Sequence, residues 1–183
     1  MDEILFIKAQ KGDNAAFEEL IRAYEKLIYA TAYRMLPNSQ DAEDISQEVI
    51  IKVYKNLAYC KTAASFKSWL FRIIHNTCID EIRKRKGRAT LSLDQSPGDG
   101  YIENPALKDD TTPESEFLRK DMSEKVQKAI NELPSDYKAV IVMRDLSGLS
   151  YEEIAYALEL NMGTVKSRIA RGRKKLMEVL SLP

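Results

Sequence analysis

The chain has 183 residues, 44% hydrophobic and 31% charged, with 28 basic side chains matched by 28 acidic ones. That composition suits one ordinary folded domain or two small ones and is too apolar for a disordered chain. No run of about 18 apolar residues occurs, and Met1-Asp2-Glu3 lacks the basic-then-apolar layout of a signal peptide. Neither a membrane span nor export is therefore expected, and the cytoplasm is the expected location.

In chain order, a short helix is expected near residues 3–10. Phe17, Leu20, Ile21, Tyr24, Leu27, Ile28 and Met35 recur at helical spacing, which predicts one helix over 14–35, ended by Pro37-Asn38. A second long helix spans 40–58, with Ile45, Val49 and Val53 on one stripe. After a loop at Tyr59–Ser65, a third spans 66–86, with Phe66, Trp69, Leu70, Ile73, Ile74 and Thr77 facing inward. Trp69 lies on that apolar stripe, so it reads as core rather than as a wedge. Residues 88–116 hold Pro97-Gly98, Gly100, Pro105 and Pro113, and few apolar side chains. They read as a flexible acidic linker, unable to bury enough surface to offset ordering entropy. Helices resume near Phe117: one to Leu133-Pro134, one over Ser135–Leu146, a short one opened by Ser150-Tyr151-Glu152-Glu153 as a capping box, and a last one over Thr164–Leu180. No segment alternates with period two. The expected fold is all-α, two small helical domains over 1–87 and 117–183 joined by the linker.

Zero net charge hides a segregation. Residues 1–86 carry 14 basic and 12 acidic side chains, residues 87–117 carry 2 and 7, and residues 118–183 carry 12 and 9. Local stripes, rather than bulk charge, are where a polyanion would bind. Cys60 and Cys78 are too few for a disulfide framework. With His75 they fall short of the roughly four ligands zinc takes, so no metal or other cofactor is expected. His75 has no nucleophile beside it, and no phosphate-binding glycine loop or H-E-x-x-H pattern occurs. An enzyme with a small-molecule substrate is not expected.

The strongest local pattern is residues 150–175. Ile154, Ala155 and Leu158 face inward from a short helix; after a tight turn, Val165, Ile169 and Leu176 face inward from the next. Short helix, turn and second helix make a helix-turn-helix, whose second helix enters the DNA major groove. Thr164, Ser167, Arg168, Arg171 and Lys174 share the opposite face, and from Lys166 to Lys175 there are six basic residues and no acidic one. Arg reads guanine edges in bidentate fashion, while Lys and Arg neutralise phosphates. A helix N-terminus at Gly163-Thr164 would suit a phosphate as well. A second polar face, Ser68, Arg72, Asn76, Ile79 and Arg83, lies away from the Trp69 stripe and leads into the run Arg83-Lys84-Arg85-Lys86. A third face holds Asp44, Gln47, Glu48 and Ile51; an apolar Ile51 inside an acidic stripe suits either solvent or a docked protein.

These residues resemble a known family. Asp41-Ala42-Glu43-Asp44-Ile45-Ser46-Gln47-Glu48, and Phe66-Lys67-Ser68-Trp69-Leu70-Phe71-Arg72-Ile73 followed by Asn76, are similar to region 2 of the σ70 family of RNA polymerase σ factors. Leu133-Pro134, Ser150-Tyr151-Glu152-Glu153-Ile154-Ala155 and Gly163-Thr164-Val165-Lys166-Ser167-Arg168 are similar to its region 4. With no other σ regions in the chain, the resemblance is to the small extracytoplasmic-function (ECF) group. It implies that Asp44, Gln47, Glu48 and Ile51 dock on the β′ clamp helices of core RNA polymerase. It implies further that the loop residues Tyr59, Cys60 and Lys61, together with Phe71, Arg72, Asn76 and Arg83, hold the non-template strand of the −10 element. Thr164, Lys166, Ser167, Arg168, Arg171 and Lys174 would bind the −35 duplex. The same resemblance implies a contact with the β flap, a linker threaded toward the RNA exit path, and control by an anti-σ factor, often membrane-bound. A free-standing helix-turn-helix repressor would instead bind an operator without polymerase, usually as a dimer. The long linker and the acidic docking face argue against that reading, and the missing catalytic set argues against a helical enzyme.

Overall fold

A computed structural model of the chain describes residues 2–89 and 113–181, with side chains described for 2–85 and 122–181. Among the described residues there are helices and no strands. The N-terminal region comprises α1 (Glu3–Gln10), α2 (Asn14–Arg22), α3 (Glu25–Met35), α4 (Ser39–Asn56), a 3-10 turn at Leu57–Tyr59 and α5 (Phe66–Ala89). Short polar side chains start three of these helices by accepting from otherwise unpaired amides. Asp2 takes Ile4 N at 2.9 Å, Asp13 takes Ala16 N at 3.1 Å, and Asn38 takes Asp41 N at 2.9 Å. Leu20, Ile28, Val49, Val53, Leu70 and Ile74 are buried between them. Trp69 is buried too, its ring centroid 5.9 Å from that of Phe66.

The single helix expected over 14–35 is two. Tyr24 interrupts it: its amide donates to Ile21 O at 2.8 Å, and its φ of −114° leaves the helical range. The break brings the Tyr24 ring edge-on to Phe66, with centroids 5.1 Å apart. Aromatic packing across the bundle thus outweighs the continuous helical pattern of the segment.

The C-terminal region comprises α6 (Pro113–Glu132), α7 (Ser135–Ile141), α8 (Tyr151–Leu158) and α9 (Met162–Leu180). α5 runs past the expected end of its helix to Ala89, and α6 begins at Pro113 rather than near Phe117. A proline fits a first helical position, where its missing N–H would have had no partner. Residues 88–89 and 113–116, at the two ends of the expected linker, are therefore helical, and its centre, 90–112, lies outside the described residues. α7 continues as a π turn over Val142–Leu146, with Ser147 N donating to Val142 O at 3.0 Å. The capping box at α8 is formed: Glu153 N donates to Ser150 Oγ at 3.1 Å, and Ser150 N to Glu153 Oε2 at 2.7 Å.

The two regions are packed together as well as joined in sequence. α5 lies against α8, and α3 against α6 and α7. Phe71 of α5 is fully buried among Val140, Met143, Leu149 and Ile154 of the C-terminal region. Polar contacts flank that plug. Lys67 Nζ donates to Ser147 O at 3.3 Å, Arg34 Nη1 to Gln127 Oε1 at 2.7 Å, and Gln127 Nε2 to Tyr33 O at 3.1 Å.

Candidate nucleic-acid interface

α8, its turn and α9 form the expected helix-turn-helix. α9 starts two residues earlier than expected because Asn161 caps it, accepting from Thr164 N at 2.8 Å. Gly163 and Thr164 therefore lie inside the first turn, and the Thr164 amide is already paired. Val165, Ile169 and Gly172 form the buried face. In α8 Ile154 and Ala157 are the buried pair, with Ala155 and Leu158 half-buried at the edge of the core. Gly172 has a reason that helix propensity does not reveal: it is the point where α9 approaches α7.

On the outer face of α9, Lys166, Ser167, Arg171 and Lys174 are exposed, while Thr164 and Arg168 are half-buried. Arg168 Nη2 is held 2.8 Å from Asp136 Oδ2 on α7. Ser167 Oγ donates to Thr164 O at 3.0 Å. Arg173 turns to Asp145, with Nε 3.0 Å from Oδ2, and that hydrogen-bonded carboxylate holds the guanidinium even more firmly in its charged form. Lys166, Arg171, Lys174 and Lys175 are thus exposed, with no acidic side chain paired to them among the described residues. A polyanion lying along α9 would meet an array of outward cations on one rigid element.

The second face is on α5 and the loop before it. Tyr59 is 78% exposed, and Lys61, Asn76 and Arg83 are exposed. Three residues depart from the sequence expectation. Cys60 is buried: Gln10 Nε2 pins the loop through Cys60 O at 2.6 Å and Leu57 O at 3.0 Å, turning the thiol inward, where burial raises its pKa. Phe71 faces the C-terminal core rather than an open groove, because in this closed arrangement α8 packs against α5. Arg72 Nη2 is 2.7 Å from Glu159 Oε1, at the turn between α8 and α9. The basic run that ends this helix is also divided. Arg85 turns inward to pair with Asp41, which is buried, and with Glu81 at 3.1 Å, whereas Arg83 and Lys84 point out.

The acidic face of α4 is intact. Asp44, Gln47 and Ile51 are exposed, and Glu48 pairs with Lys52 at 2.8 Å. Tyr54 belongs with it, half-exposed, its ring 5.0 Å edge-on from Phe17 and its hydroxyl 3.0 Å from Asn14 Oδ1. Its place three residues after Ile51 was the available signal. No group of side chains able to hold a metal ion occurs among the described residues.

The model of σ70 region 2 matches residues 20–88, which carry the α4 and α5 faces, and that of σ70 region 4 matches residues 123–176, which carry the helix-turn-helix. The chain belongs to the σ70 family. It is 37% identical over 174 residues to the ECF RNA polymerase sigma factor SigW of Bacillus subtilis, covering 94% of this chain and 93% of that one. It is 35% identical over 176 residues to the ECF RNA polymerase sigma-E factor of Escherichia coli, covering 96% and 92%. The sigma factor RpoE of Bartonella quintana, solved with the anti-sigma factor NepR, superposes with a TM-score of 0.74 at 26% identity over 91% of this chain and 97% of its own. The fold is shared too by CnrH, solved with the cytosolic domain of CnrY, at a TM-score of 0.70 and 23% identity. As an ECF σ factor the protein directs promoter-specific initiation by RNA polymerase, with the core enzyme and promoter DNA as partners. No helix among the described residues is long and apolar enough to cross a membrane.

Proposed function

We propose that this σ factor divides the promoter between its two basic faces. Thr164, Lys166, Ser167, Arg168, Arg171 and Lys174 bind the −35 duplex, with α9 in the major groove. Tyr59, Lys61, Arg72, Asn76 and Arg83, joined by Phe71 once the two regions separate, hold the unstacked −10 strand, where stacking and a basic groove are the usual means of single-strand capture. Asp44, Gln47, Glu48, Ile51 and Tyr54 dock on the β′ clamp helices, and the C-terminal region meets the β flap. The protein works in the cytoplasm as a specificity subunit, without catalysis of its own. An anti-σ factor holds it in reserve, as NepR is found with the Bartonella protein. Region 2 spans 1–87 and region 4 spans 117–183, with the acidic segment between them threading the polymerase.

The observation that carries this reading is the outer face of α9, where Lys166, Arg171 and Lys174 stand exposed opposite the buried Val165 and Ile169. The deciding experiment is reconstituted transcription with purified core polymerase on genomic promoter fragments. Promoter-specific initiation is expected on adding the chain. Combining Asp44→Arg with Glu48→Arg should weaken core binding while helical content stays unchanged. Operator binding with no effect on core would reject the σ-factor roles, and normal core affinity of the double variant would reject the docking face.

A further inference from the structure

The Arg72–Glu159 pair sits where two elements with different tasks meet. Arg72 belongs to the α5 face assigned above to the −10 strand. Glu159 ends α8 and opens the helix-turn-helix turn. Its backbone is left-handed, with φ 54° and ψ 42°, and among the described residues it is the one non-glycine residue with positive φ. L side chains rarely adopt that conformation, and glycine is the residue that adopts it freely. A glutamate here suits the turn less well than glycine, yet its carboxylate reaches 2.7 Å from the Arg72 guanidinium. A carboxylate offers an arginine the same sign of charge and the same kind of oxygen acceptors as a DNA phosphate. Beside it, Phe71 is fully buried in the helix-turn-helix core, and Lys67 is tied to Ser147 O at 3.3 Å.

We infer that the helix-turn-helix turn is an intramolecular latch: in the free chain Glu159 occupies Arg72 as a phosphate mimic and closes the −10 face until the two regions part. The inference rests on the reading of α5 as the −10 face. Closure covers the stacking ring and the cation together, so the free σ factor binds single-stranded DNA only through its open fraction. Opening parts the α5–α8 contact together with the contacts of α3 on α6 and α7, and uncovers Phe71, Ile130, Ala139 and Val142, which are packed across the two regions. Most of each core lies within one region. Region 2 retains Leu20, Ile28, Val49 and Leu70, and region 4 retains Leu149, Ile154, Val165 and Ile169.

The test uses the full chain labelled for energy transfer at two exposed positions, Lys55→Cys on α4 and Glu178→Cys on α9. Native Cys60 and Cys78 are buried and compete poorly for the dyes. The labelled parent chain should show one dominant high-transfer population. Glu159→Gln keeps the side-chain length and removes the charge; Glu159→Gly removes the carboxylate and suits the turn. Both should raise the open-to-closed ratio by about two- to five-fold, the range an exposed ion pair supports. Affinity for a mixed-sequence single-stranded oligonucleotide should rise by the same factor. A parent chain already spread over low-transfer states overturns the latch, as does an unchanged ratio in Glu159→Gln. A ratio that rises without any gain in oligonucleotide affinity overturns the masking role. Energy transfer is read without polymerase or promoter, so failure of reconstituted transcription would remove the σ-site assignments and leave the closure result standing.

Discussion

Gly172 of α9 lies so close to Ile141 of α7 that a Cβ at its position would stand 2.9 Å from Ile141 Cγ1 and 3.2 Å from Cδ1. Ile141 is itself buried and has little room to yield. A mid-helix glycine ordinarily weakens a helix by about 1 kcal/mol relative to alanine. Here it sets the distance at which α9 crosses α7. Gly172→Ala should gain that propensity and lose about 1–3 kcal/mol to overpacking. A lowered denaturant midpoint is the expected outcome; a raised one would mean that α7 and α9 separate without cost.

Arg168 is half-buried and tied to Asp136, so in the proposed −35 contact DNA competes with that carboxylate. Arg168→Ala should cost about 1–3 kcal/mol of promoter binding if the side chain reads a base. Asp136→Asn should strengthen −35 binding by a few-fold, since the charge that restrains Arg168 is gone. Unchanged −35 discrimination in the first variant would remove Arg168 from the readout.

His75, the only histidine of the chain, lies in a crevice between α5 and α7 lined by Ile79, Ile82, Arg83, Ser135 and Asp136. Burial lowers its pKa; Arg168 and Arg83 lower it further, while the Asn76 hydrogen bond and Asp136 oppose the shift. The folded chain therefore resists protonating His75, and the unfolded chain, near the usual value of about 6.5, does not. Stability should fall as pH drops below that value and gain nothing from this group above it. His75→Gln should flatten the slope between about pH 6.5 and the lower folded pKa. The lone imidazole proton resonance provides the check: titration at or above the ordinary value would refute the burial argument.

Both thiols are buried, and burial pushes Cys78 up to about 12 and raises Cys60 as well. Thiolate is the reactive form, so native protein at pH 8 should react slowly with a thiol reagent and denatured protein quickly at two sites. Native reaction at the denatured rate would show that the N-terminal core opens readily.

Losing the Ser150 hydroxyl removes the acceptor for Glu153 N. Ser150→Ala should lower the stability of the C-terminal region by about 1 kcal/mol, and Ser150→Thr should restore most of it. Thermal melts of the two variants measure the difference; equal melting of Ser150→Ala and the parent chain would show that the cap adds nothing.

Helical periodicity determined most of the element order, because most of the helices have an apolar stripe at 3.6-residue spacing and several have a polar residue that caps them. The capping box, the helix-turn-helix and the outward cations of α9 were legible for that reason, as was the acidic face with Ile51 inside it. A stripe states which face avoids water and does not state what covers it. Phe71 sits beside the Trp69 stripe, and only the docking of the C-terminal region through α8 decided that it would be buried. Arg85 belongs to a basic run, yet the approach of α4 turned it inward to Asp41. Tyr24 fits a continuous helix, but the Phe66 ring across the bundle drew the chain into a bend. Gly172 reads as a weak helix position until α7 is placed against it. In each case the deciding contact joins residues far apart in sequence, and the free energy of such a contact exists only once the helices have packed.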